Sequence, residues 1–184
     1  MSELELIELC TRNDRKAQKL LYDQFHRKLF VVSMRYARSR ADAEDILQDA
    51  FIKIYKNLAQ FRQDCPLEAW LKRIVVNTAL KFYSRKMHKI PPEDIENHQD
   101  NLVESEFTIS QYNFQELLGV IQQLPLRCQM VFNLYAIEGY QHNEIGEMLE
   151  ISEGTSKSQY ARAKQMLQKM ITAKETALKT MSYV

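Results

Sequence analysis

A chain of 184 residues with 45% hydrophobic residues can bury one large or two small cores, and with four Gly and four Pro it is left long stretches suited to helix. Its three cysteines, Cys10, Cys65 and Cys128, are odd in number, far apart and without CxxC spacing, which argues against a disulfide framework or a zinc site and for a reducing compartment. The net charge of +1 hides three blocks: 18 Lys and Arg against 11 Asp and Glu in residues 1–90, none against 7 in 91–116, and 7 against 6 in 117–184.

A basic block, an acidic connector and a near-neutral block predict two domains and a linker, with a basic face for an anionic partner. No apolar run reaches membrane-spanning length and no basic-then-apolar leader opens the chain, so the expected location is the cytoplasm.

Residues 2–37 read as two helices. Leu6, Leu9 and Cys10 fall at helical spacing, with Leu4 and Ile7 widening the apolar face. Leu20, Leu21, Phe25, Leu29, Phe30, Val32 and Met34 then line a second, wide face. In "SRADAEDILQDAFIKIYKNL", Ser39 is placed to cap a helix whose first turn is acidic. Ile46, Ala50, Phe51, Ile54 and Leu58 form its apolar face, and Asp42, Asp45, Gln48 and Asp49 sit off it.

In "FRQDCPLEAWLKRIVVNTALKFYSRKMHK", Pro66 stands near a helix start. Leu67, Trp70, Leu71, Ile74, Val75 and Thr78 are the expected buried positions, while Lys72, Arg73, Lys81, Arg85 and Lys86 form a basic flank beside Asn77. Pro91-Pro92 stops the pattern, and an acidic polar segment follows. Two more helices follow, divided by Pro125 and ended by Gly139.

"GYQHNEIGEMLEISEGTSKSQYARAKQML" fits helix-turn-helix spacing. A short helix is expected over Gln141 to Leu149, with Ile145, Met148 and Leu149 inward. Gly146 allows close approach, Ile151 plugs the turn, and Ser152 caps the second helix. The start of such a second helix meets base edges, and its basic and hydroxyl groups hold phosphate. Thr155, Ser156, Lys157, Ser158, Gln159, Arg162 and Lys164 are the candidates. In Phe61–Lys86 a polar loop precedes a helix carrying Asn77 and several cations, a combination suited to single-stranded nucleic acid. Trp70 is read as core.

Together these segments resemble a bacterial RNA polymerase sigma factor of the extracytoplasmic function type, group 4 of the sigma-70 family. "ADAEDILQDAFIKIYKNL" looks like the family's polymerase-binding helix, "FRQDCPLEAWLKRIVVNTALKFYSRK" like its −10 segment, and "LPLRCQMVFNLYAIEGYQHNEIGEMLEISEGTSKSQYARAKQML" like its −35-binding domain. The resemblance implies an all-α fold of two small helical domains. These are a region 2-like domain over 1–90, an acidic linker over 91–112 and a region 4-like helix-turn-helix domain over 113–184.

It also implies roles. Asp42, Glu44, Asp45, Gln48, Asp49 and Phe51 would dock on core RNA polymerase, at the clamp helices of β′, with the β flap as a second contact. Gln63, Asp64, Cys65, Pro66, Leu67 and Asn77 would receive a base of the −10 element, with Arg62, Lys72, Arg73 and Lys81 on phosphate. Lys157, Ser158, Ala161 and Arg162, with Thr155, Ser156 and Gln159, would meet the −35 element. The implied partners are core polymerase, promoter DNA and an anti-sigma factor, often membrane-anchored in the family. No metal, cofactor, small-molecule substrate or catalytic residue is implied. The family often has Gly in the turn where this chain has Glu150, a β-branched apolar residue at Ser156, and Arg at Gln159.

A stand-alone helix-turn-helix regulator acting on duplex operators would explain residues 117–184. It would explain neither the acidic connector nor the Asp42–Asp49 carboxylates. An enzyme is disfavoured: His26, His88, His98 and His142 are scattered, and no HExxH, glycine-rich phosphate loop or nucleophile motif is present. Cys65 reads as an ordinary loop residue rather than a redox sensor.

Overall fold

The computed structural model describes residues 2–89 and 114–181, and the side chains of 2–84 and 117–173. Among these, every regular element is helical. The chain divides into two compact units, Met1–Tyr83 and Ser84–Val184. The connector expected at 91–112, with its Pro91-Pro92 stop, lies outside the described residues.

The first unit holds α1 (Glu3–Thr11), α2 (Arg15–Tyr36), α3 (Arg40–Asn57), a 3-10 turn (Leu58–Gln60) and most of α4 (Leu67–Lys89). Short polar side chains start three of the helices by accepting from backbone N–H groups that have no intrahelical partner. Ser2 forms a capping box with Glu5, Asp14 accepts from Lys16 and Ala17, and Ser39 accepts from Asp42. Before α4, the Pro66 carbonyl accepts from the N–H groups of Ala69 and Trp70.

The core of this unit is built from Leu6 and Cys10 of α1, Leu21, Phe25, Leu29 and Tyr36 of α2, Ile46, Ala50, Phe51 and Ile54 of α3, and Leu67, Leu71, Val75, Ala79 and Tyr83 of α4. The wide apolar faces expected for α1 and α2 are narrower than that. Leu4, Leu9 and Leu20 are 54%, 36% and 45% exposed. Only Leu6 and Cys10 of α1 are buried, one turn apart on a nine-residue helix, so its other apolar residues lie at the edge of the contact.

The second unit holds α5 (Phe114–Ile121), α6 (Leu126–Phe132), a π-helical turn (Asn133–Ile137), α7 (His142–Leu149) and α8 (Glu153–Met181). Pro125 separates α5 from α6. After the π turn, Gly139 takes φ 81°, a left-handed conformation that Gly adopts at little cost, and the Tyr140 N–H reaches back to the Leu134 carbonyl at 3.0 Å. Leu117, Val120, Ile121, Leu124, Cys128 and Phe132 pack against Ala163, Leu167 and Ile171 of α8. The long last helix is thereby anchored through its inner face.

Candidate nucleic-acid and docking surfaces

Helix α3 buries one stripe and leaves an acidic one. Asp45, Gln48 and Asp49 are exposed at i, i+3 and i+4, and Ile52, 46% exposed, extends the same face by one turn. The sequence reading did not single out Ile52; its signal is its place seven residues after Asp45 and outside the buried stripe. Glu44 is exposed but pairs with Arg40, whose guanidinium also lies over the Phe30 ring, 5.4 Å from its centroid.

Asp42 is different again: half-buried, it accepts from the Tyr83 hydroxyl at 2.6 Å. Phe51, which the resemblance implies at the docking surface, is buried, as its place on the apolar face of the helix predicts. It is 4% exposed and packs against Tyr22 and Tyr55, because position 51 falls on the same stripe as Ala50 and Ile54.

Polar contacts tie α4 to its neighbours along its length. Near its start Glu68 accepts from Lys28 of α2 at 2.6 Å, in its middle the Thr78 hydroxyl accepts from Lys53 of α3 at 3.0 Å, and near its end Tyr83 reaches Asp42. The first pair is exposed and contributes little. Tyr83 is fully buried, and burial together with its bond to Asp42 pushes its phenol well above the usual range.

So oriented, α4 shows Arg73, Asn77 and Lys81 at i, i+4 and i+8, all exposed, with Lys72 half-buried beside them. The preceding loop leaves Arg62, Gln63, Asp64, Cys65 and Pro66 exposed, and Gln63 sits at φ 62°. Leu67, expected in the base-binding loop, is 1% exposed; as the first residue of α4 it turns into the core under the loop. Trp70 is half-buried, its ring centroid 5.4 Å from that of Phe61.

In the second unit, α7 and α8 are joined by a tight turn. A Cβ on Gly146 would lie 2.8 Å from the Ile151 carbonyl oxygen, and the Ile151 N–H donates to the Gly146 carbonyl at 2.9 Å. Glu150 takes the left-handed conformation, φ 56° and ψ 46°, at the end of α7. The Ser152 hydroxyl accepts from the Thr155 N–H at 3.0 Å and so caps α8. Thr155 is half-buried over this cap.

Lys157 and Arg162 are exposed and Ser158 and Ala161 half-exposed, so these four positions share the outer face of α8. Two other candidates point inward, contrary to expectation. Ser156 is fully buried, with its hydroxyl 2.9 Å from His142 Nδ1, and Gln159, 6% exposed, accepts from the Cys128 thiol at 2.9 Å. Positions 156, 159 and 163 share the helix face that carries buried Ala163, which is why both polar side chains meet partners inside.

The His142 contact had no counterpart in the sequence reading. Its ring stacks on Tyr135 at 4.2 Å and 10°, and Tyr135 packs against Tyr160 at 4.5 Å. No periodicity could reveal a cluster assembled from three helical segments. Burial, and then the positive charge of Lys157, holds the His142 imidazole below its ordinary value. Among the described residues no group of three or more His, Cys, Asp and Glu is gathered to hold a metal ion, and no helix is long and apolar enough to cross a membrane.

Residues 21–88 match the family model of sigma-70 region 2, and residues 114–167 that of sigma-70 region 4. The chain is 31% identical over 172 residues to the ECF RNA polymerase sigma factor SigM of Mycobacterium tuberculosis, covering 92% of this chain and 85% of that one. It is 29% identical over 183 residues to the ECF RNA polymerase sigma-E factor of Haemophilus influenzae, covering 93% and 96%. Its fold is similar to that of the sigma factor RpoE in a co-crystal structure with the anti-sigma factor NepR from Bartonella quintana, with a TM-score of 0.51 and 22% identity over 84% of this chain and 96% of that one.

Proposed function

The chain belongs to the extracytoplasmic function (ECF) sigma factors of the sigma-70 family, and from that premise we propose how its exposed faces divide the work. It directs promoter-specific initiation by RNA polymerase and is not itself an enzyme. The acidic face of α3, with Asp45, Gln48 and Asp49 around Ile52, docks on core polymerase at the clamp helices of β′. Carboxylates ringing an apolar contact favour a cationic partner surface and fix its register.

The loop of residues 62–66 and the row Arg73, Asn77 and Lys81 hold the opened −10 strand. Asn77 faces a base and the cations face phosphate. Extruding a base costs a few kcal/mol, and this basic row offsets part of that cost. The outer face of α8, with Lys157, Ser158, Ala161 and Arg162, reads the −35 element while the second unit rests on the β flap. The protein acts in the cytoplasm. In its resting state an anti-sigma factor covers these faces, a partner of the kind bound to the Bartonella sigma factor.

The single observation that carries this reading is the segregation of charge in the first unit. An acidic row on α3 and a basic row on α4 are both exposed and both held by the same buried core.

The test is retention of core polymerase by the wild-type chain and by an Asp45→Arg/Asp49→Arg variant, followed by abortive transcription from native upstream regions. Wild type should retain polymerase and the double variant should lose it. Both positions are exposed, so the loss reports docking rather than unfolding. Failure of the wild type to retain polymerase even at low salt, where charge contacts are strongest, would sink the docking assignment.

A further inference from the structure

Two exposed apolar sets stand on α2, and one of them adjoins the acidic row of α3. Tyr22, 40% exposed, rests on Phe51 of α3 with the ring centroids 4.7 Å apart. His26, one turn on and half-buried, stacks on Tyr22 at 5.0 Å and 5°, and its Nδ1–H donates to the Tyr22 carbonyl at 3.1 Å. On α3, Gln48 and Ile52 flank Phe51, both exposed, so the two rings on α2 continue the face that carries Asp45 and Asp49. The other set is Leu20 and Val31, 45% and 39% exposed. They lie about half a turn round the helix from Tyr22 and face away from α3.

The aromatic ledge is set before a partner arrives. One turn before Tyr22, the Tyr55 hydroxyl of α3 donates to the Gln18 carbonyl of α2 at 2.9 Å, and Tyr55 packs against the same Phe51 ring. Flat rings held in this way lose little conformational freedom on binding, so most of their contact is retained as affinity. Exposed carboxylates act differently. They raise the rate of encounter with a cationic surface, and salt screens them. An exposed aromatic pair continuous with a charged row is suited to the contact that holds a complex once it has formed. Arginine fits both parts at once, since its guanidinium stacks on an aromatic ring and pairs with a carboxylate.

We propose that the Tyr22–His26 ledge, with Ile52, anchors core polymerase through an arginine-bearing surface of that partner. The acidic row of α3 sets how fast the complex forms, and the ledge sets how slowly it comes apart. The inference rests on the reading of α3 as the docking helix.

The test measures association and dissociation rates of the full-length chain on immobilised core polymerase, between about 50 and 200 mM salt. Tyr22→Ala should speed dissociation about tenfold, as the loss of an anchoring contact does. Its association rate and the salt dependence of that rate should stay as in wild type. His26→Ala leaves the Tyr22–Phe51 contact in place and should speed dissociation roughly threefold. Asp45→Ala/Asp49→Ala should instead slow association at low salt and flatten its salt dependence. Leu20→Ala and Val31→Ala should stay within about twofold of wild type in both rates. Melting curves accompany each variant, and if Tyr22→Ala melts below wild type, His26→Ala decides. Unchanged dissociation in the ledge variants, with association slowed by loss of the carboxylates, would overturn the proposal and leave the docking reading standing. Equal acceleration by Leu20→Ala and Val31→Ala would overturn it too, since any exposed apolar residue of α2 would then serve. A wild-type chain that does not bind core polymerase at low salt would defeat the docking reading and this inference with it.

Discussion

Tyr83 and Asp42, 41 positions apart in the chain, are joined by a 2.6 Å hydrogen bond in which the phenol donates to the carboxylate. The same phenol oxygen accepts from the Arg38 backbone N–H at 2.9 Å. One fully buried ring at the end of α4 thus clasps the segment that begins α3. Replacing Tyr83 with Phe keeps the ring and removes both bonds, one of them to a charged group. The loss should be about 1–3 kcal/mol, read as a lower urea midpoint with an unchanged slope. Asp45→Ala and Asp49→Ala, at exposed positions of the same helix, should stay within about 0.5 kcal/mol of wild type. A Tyr83→Phe chain as stable as wild type would mean the clasp contributes nothing.

The helix-turn-helix turn offers two substitutions of opposite sign. Gly146→Ala puts a methyl group 2.8 Å from the Ile151 carbonyl oxygen. Backbone must move, at a cost of about 1–3 kcal/mol. Glu150 occupies the left-handed region at φ 56°, where a side chain costs roughly 1–2 kcal/mol. Glu150→Gly should therefore raise stability, by about 0.5–1 kcal/mol after the extra chain entropy of glycine. Thermal denaturation should show the two midpoints moving apart on either side of wild type.

Thiol chemistry should separate the three cysteines. Cys65 is exposed, while Cys10 and Cys128 are buried. Burial pushes the Cys128 thiol up to about 11, and its S–H is engaged with Gln159. Since the thiolate is the reactive form, a disulfide reagent at pH 8 should label one thiol quickly in the native chain and the other two only after denaturation. Cys65→Ser should abolish the fast reaction. Rapid labelling of three thiols in native protein would contradict the packing of both cores.

The neutral His142 ring makes the second unit sensitive to acid. Its folded value lies below the ordinary one, so as pH falls through the usual histidine range the unfolded chain takes up a proton first. Its contribution to stability is present above that range and is lost as pH falls toward the folded value. The melting temperature should drop more between pH 7.5 and 5.5 for wild type than for His142→Gln. Parallel curves for the two chains would show that this ring does not sense pH.

Much of this architecture was legible because its signals are local. Ser39 and Ser152 announced their caps, Gly146 and Ile151 the tight turn, and Gly139 the end of a helix. In each case the interaction spans only a few residues. The failures share a different cause. For Phe51 and Leu67 helical spacing put both in the core, where they lie, and only the surface roles implied by the family resemblance disagree with that burial. Ser156 and Gln159 look like surface residues by composition, but each finds a buried partner, His142 or Cys128, supplied by another helix. The Tyr83 clasp was equally invisible, since no pattern within one helix encodes a contact 41 residues away. The π turn at Asn133–Ile137 followed a stretch that reads as plain helix.

The clasp also gives the first unit a direction in time. Synthesis runs from the N-terminus at about 5–20 residues per second, so roughly 2–8 s separate the making of residue 42 from that of residue 83. Until then α3 can form only without the ring that secures its start. The acidic row of α3 is thus written before the ring that fastens it, and any chain ending before Tyr83 lacks that fastening.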